Sequence, residues 1–181
     1  RDHIPLLIVA IIINIATAYA LICVKSLARS VPVNYILLTL FTLTEAFMVS
    51  TITVKYPADI VFIAATLTAG IVVSLTIYAM TTKTDFTMMG GLLFMLGMTL
   101  MLACILSIFI RNRMLELILS VCGVLLFGVY LIYDTQLIVG GKQHELSIDD
   151  YIIGALMLYI DIVRIFIEVL RILGTLSNNR N

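Results

Sequence analysis

The sequence has little charge, no tryptophan and few prolines. Charged side chains make up 12% of its 181 residues, the formal net charge is +0, and there are three prolines. A balanced charge excludes the basic surface with which proteins bind nucleic acid, so we expect no nucleic-acid partner. Because tryptophan is absent, anchoring at a membrane surface would fall to the eight tyrosines and to Lys and Arg in the loops.

Cysteine and histidine are also rare, which argues against a metal or redox centre built from them. Cys23, Cys104 and Cys122 lie far apart in apolar runs and form no CxxC pair, a pattern typical of small packing residues. The sequence contains no HExxH or phosphate-loop pattern either. We therefore expect no enzyme and no resident cofactor, with transient Ca²⁺ as the one ligand considered below.

Apolar residues, in contrast, are far more abundant than a soluble domain of this length can bury. They make up 62% of the chain, and the mean hydropathy is +1.15. Six runs are long enough to cross ~30 Å of hydrocarbon at ~1.5 Å per residue. The sequence predicts an all-α, polytopic membrane bundle in contact with lipid, with helices at about 4–24, 33–54, 59–81, 88–110, 115–139 and 149–173.

The links between these runs are short and polar, so that consecutive helices should lie antiparallel in a single bundle over residues 1–181. Residues 25–32 are predicted to be such a link. Asn14 is a rare polar residue in the first run, and we expect it to be satisfied within its own helix. Because the chain begins at Arg1 without a methionine, we expect it to be part of a longer protein.

Three carboxylates interrupt the apolar runs and are the first candidates for function. Glu45 lies about midway along the second run, while Asp134 and Asp161 lie in the fifth and sixth. An ionised side chain in hydrocarbon costs several kcal/mol, so such residues usually face a partner or a polar interior. Glu45 is therefore predicted to belong to a polar pathway or charge network.

Asp134 and Asp161 are equally distant along the chain from the polar link that joins their helices. A turn near Ser147 would bring both carboxylates to a similar depth, close enough to share a proton or a cation. Protonated, the pair would hold the two helices together by a hydrogen bond, whereas two ionised groups would repel each other or admit a cation. Carboxylates suit Ca²⁺, although two of them fall short of its six to eight ligands.

Arg164 and Glu168 complicate this interpretation because they share a helical face with Asp161. Their spacing of three and seven residues allows Arg164 to pair with Asp161 or with Glu168. An internally neutralised triad of these side chains is the structural alternative to a working pathway.

Several motifs together resemble the transmembrane Bax inhibitor motif family, most closely its Lifeguard group. The most specific are YDTQ at 133–136, GKQHELS at 141–147, DYIIGAL at 150–156 and LYIDI at 158–162. FTLTEA at 41–46 and KTDFT at 83–87 extend the resemblance over essentially the whole chain. The resemblance implies a seven-helix fold, with one further helix upstream of Arg1 and with the last helix enclosed by the others.

The resemblance also implies a function: Ca²⁺ leak across an intracellular membrane, gated by pH through two aspartates, with suppression of cell death. Asp134 and Asp161 would be the pH sensor and gate and the tentative Ca²⁺ ligands, and Glu45 would match the acidic residue of the third family helix. Arg164 and Glu168 depart from the family pattern, and a cation at Arg164 would disfavour Ca²⁺ beside the pair. The implied location is the endoplasmic reticulum or Golgi, with the mitochondrial inner membrane as the alternative.

Two other functions remain open from the residues alone. The chain could be a non-conducting scaffold or accessory subunit that binds other membrane proteins. It could also be an intramembrane aspartyl protease, since that chemistry needs two carboxyl groups that share a proton. The second aspartate, however, follows Tyr159 and Ile160 and not the Gly-x-Gly sequence that would open a helix to substrate. We therefore favour the cation pathway.

Overall fold

The computed structural model describes residues 4–177, and these residues are helical outside short loops. Two 3₁₀ turns, Thr87–Met89 and Ile148–Asp150, precede α5 and α7. The α-helices in this part of the chain are α1 (Ile4–Cys23), α2 (Lys25–Arg29), α3 (Val33–Thr53), α4 (Ala58–Thr81), α5 (Gly90–Ile110), α6 (Arg113–Val139) and α7 (Tyr151–Ser177).

The six predicted long helices are confirmed, and their ends differ from the prediction by a few residues. The short helix α2 lies inside the segment that was predicted to be a link, and that prediction was wrong. It starts after Val24, where φ −109° and ψ 80° interrupt the helical path. At the other end of the chain, α7 continues four residues beyond the predicted boundary, to Ser177.

Local sequence explains where several helices begin and end. Pro57 precedes α4 with an extended ψ of 144°, and Asp59 places a carboxylate in the first turn, where the helix dipole favours it. The side chain of Asn112 caps α6 by accepting hydrogen bonds from the backbone N–H groups of Met114 and Leu115, at 2.9 and 3.3 Å. Gly140 ends α6 with φ 74°, a conformation that glycine adopts without strain.

Five of the described helices are long and apolar enough to cross a membrane: α1, α3, α4, α5 with its preceding turn, and α6. The chain is thus a multi-pass membrane protein. Helix α7 is 27 residues long, but composition alone does not mark it as a membrane span. It carries four charged residues: Asp161, Arg164, Glu168 and Arg171.

The described residues form two compact units. The first contains α1, α2, α3 and residues Leu146–Met157. Within it α1 packs against α3, and the side-chain amide of Asn14 donates to Thr44 Oγ1 at 3.2 Å and to the Phe41 carbonyl at 3.4 Å. The expectation that Asn14 is satisfied within its own helix was wrong, because α3 packs close enough to α1 for the Phe41 and Thr44 oxygens to accept from the Asn14 amide.

The second unit contains residues Pro57–Glu145 and α7 from Leu158. Here α6 packs against both α4 and α5. Small residues allow this close approach: a Cβ atom at Gly97 of α5 would lie 2.8 Å from the Tyr130 hydroxyl of α6. The prediction of a single bundle over residues 1–181 stays a prediction.

Candidate functional site

The two central aspartates are neighbours in the second unit. Asp134 of α6 and Asp161 of α7 are both buried, at 5% and 4% exposure, and their carboxyl groups lie close enough to interact. A hydrogen bond between two carboxyl groups requires that one of them carries a proton, since ionised carboxylates only accept. The equal spacing of the two residues from the link thus predicted that they lie together, and a proton shared by the pair stays a prediction.

The surroundings of the pair leave one carboxyl oxygen without a partner. Oδ2 of Asp161 is buried and accepts no hydrogen bond from any residue in the described range 4–177. The nearby hydroxyl of Tyr130 donates instead to the Leu93 carbonyl at 2.8 Å. A buried, unpaired carboxyl oxygen is costly, and it is a place where a proton, a water molecule or a cation would be stabilised.

Arg164 does not neutralise this pair. Its side chain is exposed, and within the described part of the chain it forms no ion pair. Glu168, which is 9% exposed, pairs instead with Arg171, whose Nη1 lies 3.1 Å from Glu168 Oε1. The alternative of an internally neutralised triad of Asp161, Arg164 and Glu168 is therefore not formed in this structure, because Glu168 pairs with Arg171, three residues further along α7.

The side chain of Glu168 packs against a glycine of the neighbouring helix α6. A Cβ atom at Gly123 of α6 would lie 2.9 Å from the Glu168 Cγ atom, so glycine at this position accommodates the acidic side chain. Glu168 thus belongs to a charge network with Arg171, one turn along α7, and its role in a pathway stays a prediction.

Glu45 is buried in α3 at 5% exposure, in the first unit. It follows Thr44, the residue to which Asn14 donates, so a polar layer crosses the contact between α1 and α3 at this level. Burial of an acid among apolar helices agrees with the expectation of a polar environment. Its membership of a pathway stays a prediction.

Side chains that ligate metals do not cluster around the pair in the part of the chain that the structure describes. No cluster of three or more His, Cys, Asp or Glu residues within 4–177 could hold a metal ion. Asp134 and Asp161 supply at most two of the ligand groups that Ca²⁺ needs, and the rest would have to be carbonyl oxygens or water. Such a site suits transient contact with a passing ion better than tight binding.

A glutamine close to the pair was missed as a functional residue. Gln136 is 2% exposed, and its side-chain amide donates to the carbonyls of Ala79 and Thr84 at 3.2 and 3.0 Å. Its Oε1 accepts from the backbone N–H of Phe86 at 2.8 Å. Gln136 thus connects the helix that carries Asp134 to the end of α4 and to the following loop. A polar residue two positions from the aspartate in an apolar run was the available signal.

The loops on this side of the second unit are held together by charge. Asp85 accepts hydrogen bonds from the backbone and hydroxyl of Thr87 at 2.9 and 2.6 Å, and from the backbone N–H of Gln143 at 3.1 Å. These bonds, with the Thr87 side chain first, lower the pKa of Asp85 below its usual value, and the charge of Lys142 adds to the effect. We call Thr82–Thr87 together with residues 141–144 the inter-loop contact.

An ion pair in the first unit was also missed. Arg29 of α2 holds Asp150 in a two-point contact, with Nε–Oδ1 at 2.8 Å and Nη2–Oδ2 at 2.9 Å. This hydrogen-bonded guanidinium lowers the pKa of Asp150 and raises that of Arg29. The sequence placed Arg29 in a link and Asp150 at the start of the sixth predicted helix, and only the fold shows that α2 directs Arg29 toward the start of α7.

Comparison with known proteins is consistent with these features. The family model described as "Inhibitor of apoptosis-promoting Bax1" matches residues 2–179. Protein lifeguard 3 of Mus musculus is 37% identical over 179 residues, which cover 97% of this chain and 58% of the relative. Protein lifeguard 3 of Homo sapiens is 36% identical over 178 residues, which cover 96% of this chain and 57% of the relative. The Golgi anti-apoptotic protein of Vaccinia virus (strain Lister) is 34% identical over 142 residues, 78% of this chain and 58% of the relative. The chain thus spans little more than half the length of these relatives.

Proposed function

This chain belongs to the Bax inhibitor family, on its Lifeguard-like branch, and from this premise we propose that it forms a pH-sensitive cation pathway that leaks Ca²⁺ across an intracellular membrane. The observation that carries the proposal is the buried pair of neighbouring carboxyl groups, Asp134 and Asp161. In a low-dielectric environment the pair changes its charge when it loses the shared proton, which changes the force between α6 and α7.

The mechanism follows from the two charge states of the pair. With the proton present, the hydrogen bond between the carboxyl groups holds the two helices together. With the proton lost, two like charges face each other. A passing Ca²⁺ ion and water can then satisfy them, with Asp161 Oδ2 as one ligand of the ion. Because Arg164 is exposed and Glu168 is paired with Arg171, no described cation neutralises the pair in place of Ca²⁺.

The names of the relatives support a role of the whole protein in restraining cell death. One relative is named a Golgi anti-apoptotic protein, and the matching family model is described as an inhibitor of apoptosis-promoting Bax1. We propose that this protein resides in the Golgi or endoplasmic reticulum membrane and modulates cell death through the Ca²⁺ content of that compartment. The activity is transport and not catalysis.

The test is Ca²⁺ flux in liposomes that contain the complete protein, measured over a range of pH. We expect flux to depend on pH in the wild type and to lose that dependence in Asp134→Asn and Asp161→Asn. Asp149→Asn is the matched control, because Asp149 is an exposed aspartate outside the helical spans. Flux that responds to pH equally in all four proteins would refute the role of the pair. An absence of flux in the wild type, with stable co-purification of membrane proteins, would favour a non-conducting scaffold.

A further inference from the structure

The ammonium group of Lys142 lies against three consecutive backbone carbonyls. Its Nζ atom is 3.1 Å from the carbonyl oxygen of Thr82, 3.3 Å from that of Lys83 and 3.4 Å from that of Thr84. An ammonium has three donors, so each carbonyl takes one of them. We call these three carbonyl oxygens the carbonyl nest; it follows the last turn of α4, which ends at Thr81.

Two features distinguish the nest from an ordinary lysine contact. Carbonyls beyond the end of a helix carry partial negative charge and favour any cation. In addition, all three distances exceed the roughly 2.7–2.9 Å of a typical charge-assisted hydrogen bond. The ammonium is therefore shared among three oxygens at similar distances and is not bonded closely to any single one.

The size of the nest indicates which free cation would fit. Ca²⁺ binds oxygen at about 2.3–2.6 Å and Mg²⁺ at about 2.0–2.1 Å, both well inside the distances found here. A large monovalent cation similar in size to ammonium needs the least closure of the nest, and rings of carbonyl oxygens are the ligands that replace the water shell of K⁺ in proteins.

Asp85 supplies a negative charge beside the nest without acting as a ligand. Its Oδ1 accepts from the backbone and side chain of Thr87, and its Oδ2 accepts from the backbone N–H of Gln143. The last bond also fixes the residue next to Lys142. Asp85 thus positions both the nest and the ammonium that occupies it.

We propose that the carbonyls of Thr82, Lys83 and Thr84 form a monovalent-cation site in which Lys142 is the resident cation, and that K⁺ occupies the site when the lysine is removed. The site lies in the inter-loop contact of the second unit and needs no ion flux through Asp134 and Asp161. Its tests therefore succeed or fail independently of the proposed function.

The first experiment compares thermal unfolding of the complete protein in detergent in KCl, NaCl and choline chloride at equal ionic strength. In Lys142→Met we expect K⁺ to raise the unfolding midpoint above that in choline, by about 4 °C at ten times its Kd, with saturation. We expect a smaller effect of Na⁺. The wild type and Lys55→Met should show no such difference, since Lys55 is exposed and lies outside the nest. Adding Asp85→Asn to Lys142→Met should weaken the K⁺ effect.

An equal midpoint of Lys142→Met in KCl and choline chloride would overturn the proposal, as would stabilisation by CaCl₂ but not by KCl. Lys142→Gln provides the same test if the methionine variant does not fold, because glutamine is neutral and retains hydrogen-bond donors. A second measurement uses the wild type: acylation by an amine-reactive ester, quantified by peptide mass spectrometry. Lys142 should react several-fold more slowly than Lys83, and equal rates would show that Lys142 is not held in the nest.

Discussion

Replacement of Gln136 by leucine tests whether this residue fixes α6 to the end of α4. The substitution keeps most of the side-chain volume and removes every polar atom. It therefore deletes two hydrogen bonds that the amide donates and one that its oxygen accepts. The partners are the carbonyls of Ala79 and Thr84 and the backbone N–H of Phe86.

The expected loss of stability depends on whether these three hydrogen-bond partners can bind water instead. Each hydrogen bond contributes about 1 kcal/mol net, and a buried partner left unpaired costs about 1–3 kcal/mol. The carbonyl of Thr84 can be rehydrated, because this residue is exposed and Lys142 also contacts it. The carbonyl of Ala79, a buried residue, has less access to water. We therefore expect Gln136→Leu to lower the free energy of unfolding by about 3 kcal/mol.

The assay is unfolding of the protein in mixed micelles by titration with denaturing detergent, followed by far-ultraviolet circular dichroism because the chain has no tryptophan. Gln143→Leu is the matched control: its side chain is exposed, and only its backbone takes part in the inter-loop contact. The control should differ from the wild type by less than about 0.5 kcal/mol. If Gln136→Leu lost no more stability than Gln143→Leu, the proposed connection between α6 and α4 would be refuted.

Further substitutions test the ion pair of the first unit and a close helix contact of the second. Asp150→Asn should cost about 1 kcal/mol near neutral pH, because it removes one partner of a half-exposed pair with Arg29. The pKa of Asp150 is lowered in the folded state. This stabilisation is therefore complete above the ordinary carboxyl pKa of about 4 and is lost as the pH falls through the lowered pKa. The wild type and Asp150→Asn should then have the same stability in acid, measured by the same unfolding assay. Gly97→Ala should cost about 1–2 kcal/mol, since its Cβ would lie 2.8 Å from the Tyr130 hydroxyl and displace its bond to Leu93. Gly91→Ala, with nothing within 4 Å, should be neutral or stabilising by up to about 1 kcal/mol, and equal losses in the two alanine variants would contradict this contact.

The helices could be predicted from the sequence because membrane spans leave a strong signal: long apolar runs with short polar links. The contact of Asp134 with Asp161 could be predicted for a related reason, since helices joined by a short link must run antiparallel, and equal distances from the link become equal depths. Both predictions use only distances along the chain.

The sequence did not predict which way a side chain points around its helix, nor which residues far apart in the chain form hydrogen bonds or ion pairs. Arg164 and Arg171 both lie within reach of Glu168 by spacing, and only the packing of α7 decides that Arg171 pairs with it. Likewise, the bonds of Asn14 to α3 and of Arg29 to Asp150 join residues separated by 27 to 121 positions, which no local pattern reveals.

The measurement that tests the central claim most directly is infrared spectroscopy of the carboxyl groups in liposomes, recorded over the pH range of the flux assay. A protonated carboxyl shared by Asp134 and Asp161 predicts an absorption band that disappears as pH rises, with the same midpoint as the change in Ca²⁺ flux. The band should be altered in Asp134→Asn and in Asp161→Asn and absent when both are replaced, while Asp149→Asn should leave it unchanged. A band that persists without both aspartates, or one that titrates at a pH where flux does not change, would contradict the claim that this pair senses protons for the pathway.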